Sequence, residues 1–229
     1  MASVEVVERG VRVHATDGSV ETGTHVVVTV PLGVLKAGLP SFAPPLPADR
    51  VQAIDGLRFG RYEKVVLVFE TAFWAEAGLS HLMVFPADEE QPTMWVFDLH
   101  GFGAGPALAA HVFHSATSTV AVQTSEEAAA WLTAILAEVV GGPAPEPVAA
   151  HVTSWSTDPF ARGAYTHVPI GAASSWPDLL GEPVAGRICF AGEHTQLARA
   201  GYADGAFSSG VREAKRLLGR PAVRLGRGS

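Results

Sequence analysis

The residues best suited to chemistry sit near the C-terminus. There Arg187-Ile188-Cys189-Phe190-Ala191-Gly192-Glu193-His194-Thr195 is followed, after a short spacer, by Gly201-Tyr202-Ala203-Asp204-Gly205. The apolar run reads as a buried strand, Ala191 and Gly192 let a ligand approach the backbone closely, Glu193 places an acid on the loop, and a helix opens after Gly201. Amides at such a helix start are donors at the positive end of a dipole, where an electron-rich group can rest. The same glycines also read as a tight turn and nothing more, and the residues alone leave both readings open. Two other positions stand out upstream. Tyr165 reads by itself as a core aromatic of a strand. Lys64 begins the apolar run Lys64-Val65-Val66-Leu67-Val68-Phe69 and reads by itself as a solvent-facing residue on an edge strand.

The elements that must position these residues follow from periodicity and turn signals. Val4–Glu8, Arg9–Ala15 and Val20–His25 read as strands, with Asp17-Gly18 as a turn. Val26–Val30 is a nearly continuous β-branched run of the kind buried on both faces, stopped by Pro31. A proline-rich crossing, 40–47, precedes a short helix over Pro47–Ile54. Lys64–Phe69, His81–Phe85, Thr93–Leu99 and Ala107–His114 predict a sheet. Thr124 and Glu127 have capping-box spacing, and Ala128, Trp131, Leu132, Ile135, Leu136 and Val139 recur at helical intervals until Gly141-Gly142-Pro143. Pro147–Trp155 and Arg187–Ala191 predict further strands, and Gly205–Leu218 a final helix.

Three ordered stretches carry a family resemblance: FAGEHT with GYxxGAxxSG at 190–210, W-x-x-D-P-x-x-x-G-x-Y at 155–165, and the Lys64 strand ending in Phe73-Trp74. They resemble the flavin-containing amine oxidases, which include monoamine and polyamine oxidases and lysine-specific histone demethylases. The resemblance implies an α+β or α/β fold: a substrate-binding mixed sheet with helices, joined to the C-terminal part of an FAD-binding domain. It divides the chain into FAD-domain strands over 1–37, a substrate domain over 38–156, and a C-terminal FAD segment over 157–229. It implies FAD contacts at Gly192, Glu193, Tyr202 and Ala203, and an adenine contact from the backbone at Val4. Tyr165 and Tyr202 would flank the amine, and Lys64 would act beside the reactive edge of the flavin. Monoamine oxidases attach their flavin through a cysteine just before the first tyrosine; Ala164 stands there, so the expectation is non-covalent FAD. The implied reaction is oxidation of an amine to an imine, with O2 taking the electrons back from the flavin. An L-amino acid is the alternative substrate, its carboxylate held by Arg162 or Arg199. A binding or assembly module without stable FAD is the alternative function.

The G-x-G-x-x-G fingerprint of dinucleotide-binding domains does not occur in these residues, and Gly101-Phe102-Gly103-Ala104-Gly105 has the wrong spacing. The chain is therefore expected to lack half of its FAD grip, so that FAD can be absent from it in isolation, and it reads as a fragment, a truncated product or one subunit of a split enzyme, its partner an N-terminal FAD-binding half or a copy of itself. With 48% hydrophobic and 17% charged residues in 229, it reads as an ordinary globular chain. A net charge of −7 argues against a nucleic-acid surface. No apolar run is long enough for a membrane helix, and one cysteine, Cys189, cannot form an internal disulfide, which together predict a cytoplasmic setting. His111 and His114 fall on opposite faces of one strand, so no metal is expected.

Overall fold

The structure, a computed structural model, describes residues 2–79, 82–85, 94–113 and 124–219. The chain forms two compact units, one from residues 1–60 and 159–229 and the other from 61–158. Residues 38–60 thus lie with the first unit, not with the sheet that follows.

In the first unit, β1 (Ser3–Val7) pairs antiparallel with β2 (Gly10–His14), which pairs with β3 (Val20–Gly23) through the Asp17-Gly18 turn. β4 (Val26–Val28) follows, and Pro31 opens the short α1 (Leu32–Lys36), whose residues 32–35 are buried. β5 (Ser41–Ala43) returns parallel to β1, completing the order β3-β2-β1-β5. α2 (Ala48–Gly56) explains the boundary at residue 60, because Ala53, Ile54 and Leu57 pack with Val4, Val28, Leu32 and Leu35 in one core. Lys36 locks that packing by donating to the carbonyls of Ile54, Asp55 and Leu57 at 2.8–2.9 Å, the end of α2 that needs a cation. β6 (Arg58–Phe59) closes the segment.

The second unit is a five-stranded antiparallel sheet under one helix. β7 (Tyr62–Val68) leads through α3 (Phe73–Glu76) to β8 (Leu82–Phe85), β9 (Met94–Asp98) and β10 (Ala107–Phe113). α4 (Ser125–Val140) and β11 (Ala149–Val152) complete the order β11-β7-β10-β9-β8. Strand alternation sends Val65, Leu67, Leu108, Ala110, Val112, Met94 and Val96 to one face, where α4 sets Ala128, Leu132, Ile135 and Leu136 against them. Leu132 and Leu136 are fully buried and contribute about 2 kcal/mol each. The helix begins with the capping box expected of Thr124 and Glu127 and ends at Gly141 in a left-handed conformation. Val139, in its last turn, stays exposed.

The chain then re-enters the first unit. β12 (Thr166–His167) pairs with β6, and α5 (Trp176–Leu180) packs on α2, with the Trp176 ring over Gly56, where a Cβ would stand 2.1 Å away. β13 (Ile188–Phe190) pairs in parallel with β4, and α6 (Ala203–Leu218) closes the unit. Only Val28 of β4 is fully buried; Val26 and Val27 are half-buried, because β13 is the only strand beside β4 among the described residues. The expectation of a strand buried on both faces is corrected to that extent. No described helix is long and apolar enough to cross a membrane.

Candidate functional site

One carboxylate organises the C-terminal motif. Glu193 opens a short 3-10 turn directly after β13. Its Oε1 accepts from the Thr166 hydroxyl at 2.8 Å and the Thr166 amide at 3.3 Å, and its Oε2 accepts from the Gly201 amide at 2.6 Å. Thr166 follows Tyr165 and Gly201 precedes Tyr202, so a single acid fixes the backbone beside both tyrosines. Gly201 has φ +81, and a Cβ there would stand 3.6 Å from the Tyr165 ring. Burial raises the pKa of the Tyr165 hydroxyl above its ordinary value, and the neighbouring Tyr202 adds to the effect. Tyr202 is 59% exposed. One face of its ring carries the Arg199 guanidinium at 4.6 Å, itself paired with Asp204 at 2.7 Å.

α6 presents an uncapped N-terminus. Tyr202 occupies the cap position with an extended backbone and no side-chain cap, and the Asp204 carboxylate accepts from the Gly205 amide at 3.1 Å. The helix is held firmly: Ser209 accepts from the Gly192 amide, and Arg212 donates to the carbonyls of Phe190 and Thr195 at 2.8 Å. Glu213, 1% exposed, ties Arg212 to Arg216. These contacts hold the helix start against the Glu193 loop.

Gly192 is required for a reason other than ligand approach. With φ +148, a Cβ there would stand 2.6 Å from the His194 ring, which occupies the space the missing side chain leaves. His194 is 2% exposed, and its ring has no hydrogen-bond partner among the described residues. Burial lowers its pKa to about 4, so the ring is neutral near pH 7. Val4, to which the resemblance gives an adenine contact through its backbone, lies in β1. β1 is flanked by β2 and β5, and Val4 has register partners on both sides and a fully buried side chain.

In the second unit, Lys64 lies on β7 between β10 and β11, not on an edge strand as its residue type alone suggests. Its amide donates to Thr153 Oγ1 and its carbonyl accepts from the Thr153 amide, both at 2.9 Å. The neighbouring Glu63 points to the opposite face and is fully buried. It accepts from the Thr153 hydroxyl at 2.6 Å and from the amides of Trp155 and Ser156 at 3.1 and 2.9 Å. Glu63, Thr153 and Thr166 were not singled out by the sequence reading. A usable signal existed for Glu63, since it falls in phase with Val65 and Leu67 and so must be buried. Lys64 shares its face with Tyr62, Trp95, Phe97, His111 and Phe113, the face turned away from α4. No group of three potential metal ligands occurs among the described residues, and His114 lies outside them.

The sequence model of the flavin containing amine oxidoreductases matches residues 1–218. The chain belongs to that family. This family member is 36% identical over 230 residues to the human Peroxisomal N(1)-acetyl-spermine/spermidine oxidase, covering 91% of this chain and 45% of that protein. It is 37% identical over 214 residues to Lysine-specific histone demethylase 1 homolog 3 of Arabidopsis thaliana, covering 91% of this chain and 13% of that protein. Among solved structures, cyclohexylamine oxidase from Brevibacterium oxydans superposes with a TM-score of 0.75 at 26% identity, over 96% of this chain and 48% of the other. A redesigned putrescine oxidase superposes at 0.78 and 26%, with the same coverage. The chain thus spans less than half the length of each of these proteins. The residues present fit a flavin in one respect: the start of a long helix without a side-chain cap suits the electron-rich carbonyl of a flavin ring. The position where monoamine oxidases carry their linking cysteine is Ala164, and Cys189 is buried in β13.

Proposed function

We propose that this chain carries the amine-facing, flavin-ring part of an FAD-dependent amine oxidase, with FAD held non-covalently. The observation that supports it most is the Glu193 clamp, which fixes the backbone next to Tyr165 and next to Tyr202 at a helix start without a side-chain cap. When bound, FAD supplies the acceptor for two electrons from a carbon–nitrogen bond and passes them to O2. Tyr165 and Tyr202 exclude water from the amine and offer it their π faces. The positive end of α6, at Ala203, stabilises negative charge developing beside it. Lys64 takes its role from motif position, as a cation hydrogen-bonded through water near the reactive edge of the flavin. Pyrophosphate binding falls to a segment outside these residues, in the same polypeptide or on a partner chain.

An amine without a carboxylate is favoured over an L-amino acid. Arg199 is already neutralised by Asp204, and Arg162 donates its Nε to the Pro159 carbonyl. Neither is poised to clamp a substrate carboxylate. The test is anaerobic mixing of the flavin-loaded protein with matched amines and L-amino acids, following the bleaching of the flavin. Faster bleaching by amines is expected, and faster bleaching by L-amino acids overturns the substrate class. Lys64→Met should slow reduction or reoxidation of the flavin; unchanged turnover removes the role given to Lys64.

A further inference from the structure

The face of the second unit's sheet that bears Lys64 carries a second polar device. His111 stands directly opposite Lys64 in the β7–β10 register and directly opposite Trp95 in the β10–β9 register. Its Nδ1 is hydrogen-bonded to the Tyr62 hydroxyl, two residues before Lys64 on the same face. The ring is wedged between aromatic neighbours: Tyr62 edge-on at 5.4 Å and Phe97 at 4.5 Å between centroids. Phe113 braces Tyr62 at 4.9 Å and Trp95 at 4.9 Å. Of the groups facing His111, β7 contributes the titratable Tyr62 and Lys64, while β9 contributes only Trp95 and Phe97. His151 shares this face but lies opposite Val66 on β11, on the far side of β7.

We infer that His111, held by Tyr62, is a positioning residue for Lys64: neutral, it lets the ammonium keep its place, and protonated, it expels it. Directly opposed side chains of an antiparallel pair have Cβ atoms about 5 Å apart, and like charges there repel. With Tyr62 donating to Nδ1, the neutral ring carries its own proton on Nε2. A protonated one must donate from Nδ1, which reverses the Tyr62 hydrogen bond and sets two cations against each other. Burial, then the Lys64 charge, lowers the His111 pKa below the ordinary histidine value, the direction this arrangement requires. The device gives the Lys64-dependent step an acid limit set by His111, and in that respect it rests on the amine-oxidase reading.

The test is a histidine side-chain NMR titration of the chain. His111 in the unmodified protein should titrate below the ordinary histidine value. Lys64→Met should raise its pKa by roughly half a unit or more, as expected for removing a charge some 6 Å away near a surface. Tyr62→Phe should raise it as well, by removing the bond that favours the neutral ring. In flavin-loaded protein, Tyr62→Phe should move the acid limb of amine-driven flavin reduction upward by the same shift, with the high-pH plateau retained. A His111 pKa indifferent to Lys64→Met overturns the inference. Because that titration needs neither flavin nor amine, its failure is distinct from failure of the amine-oxidase reading, which would show as absent flavin bleaching at every pH.

Discussion

Replacing Glu193 separates a structural clamp from a simple ligand contact. Glu193→Ala removes the acceptor of three hydrogen bonds, from the Thr166 hydroxyl, the Thr166 amide and the Gly201 amide. Bonds to a charged acceptor contribute about 1.5–3 kcal/mol each, but the 3.3 Å contact is weak and water can reach part of the site, so the loss should be about 3–4 kcal/mol. Glu193→Gln behaves differently. Its carbonyl can keep the short bond from Gly201 while its NH2 donates to the Thr166 hydroxyl, which can accept, so only the weak amide contact and the charge are lost. That cost should be about 1–1.5 kcal/mol. Urea unfolding followed by circular dichroism reads both. With a slope near 2.5 kcal/mol per molar, the alanine variant should shift the midpoint by roughly 1.4 M and the glutamine variant by roughly 0.5 M. Equal shifts for the two, or an alanine shift below about 0.3 M, would refute the clamp.

The remaining predictions concern the scaffold. Glu63→Leu removes the acceptor of the Trp155 and Ser156 amides and the Thr153 hydroxyl, and should cost about 2–3 kcal/mol by the same unfolding assay; a loss under about 0.5 kcal/mol would contradict the assignment. His194 makes stability fall with acid. Its folded pKa of about 4 lies below its unfolded value of 6.5, so the contribution is complete above pH 6.5 and is lost as pH falls toward 4. The loss is about 3 kcal/mol, and a thermal midpoint that His194→Phe leaves with the same slope over that range would count against it. Thr124→Ala opens the capping box of α4 and should cost about 1 kcal/mol. Thr124→Ser should recover most of it, and a serine variant no better than alanine would dismiss the cap.

What could be read without coordinates follows from how local each signal is. α4 was legible because its cap, apolar stripe and terminal glycine all lie within its own residues, and the structure keeps all three. The Glu193 segment was legible as a strand, an acid loop and a helix, but not as a clamp, because its partners Thr166 and Gly201 come from β12 and the α6 entrance, 27 and 8 residues away. Lys64 reads as an edge residue by type, and only pairing with β10 and β11, distant in sequence, makes its strand internal. Gly192 reads from residue size as a place of close approach, whereas its contact with the His194 ring, two positions on, depends on a rotamer that no pattern encodes. The boundary near residue 60 was missed for a similar reason, since α2 is short and weakly amphipathic and gains its place from Val4, Val28 and Leu32.

The most direct test of the central claim is an FAD titration of the chain together with the pyrophosphate-binding segment it needs, read by flavin absorbance and by thermal midpoint, followed by anaerobic addition of an amine. The account predicts that FAD binds and raises the midpoint, that the amine bleaches the flavin, and that Tyr202→Ala slows the bleaching more than it weakens FAD retention. FAD that neither binds nor stabilises, with no bleaching on amine addition, would contradict it and leave a chain that keeps the fold as a binding or assembly module.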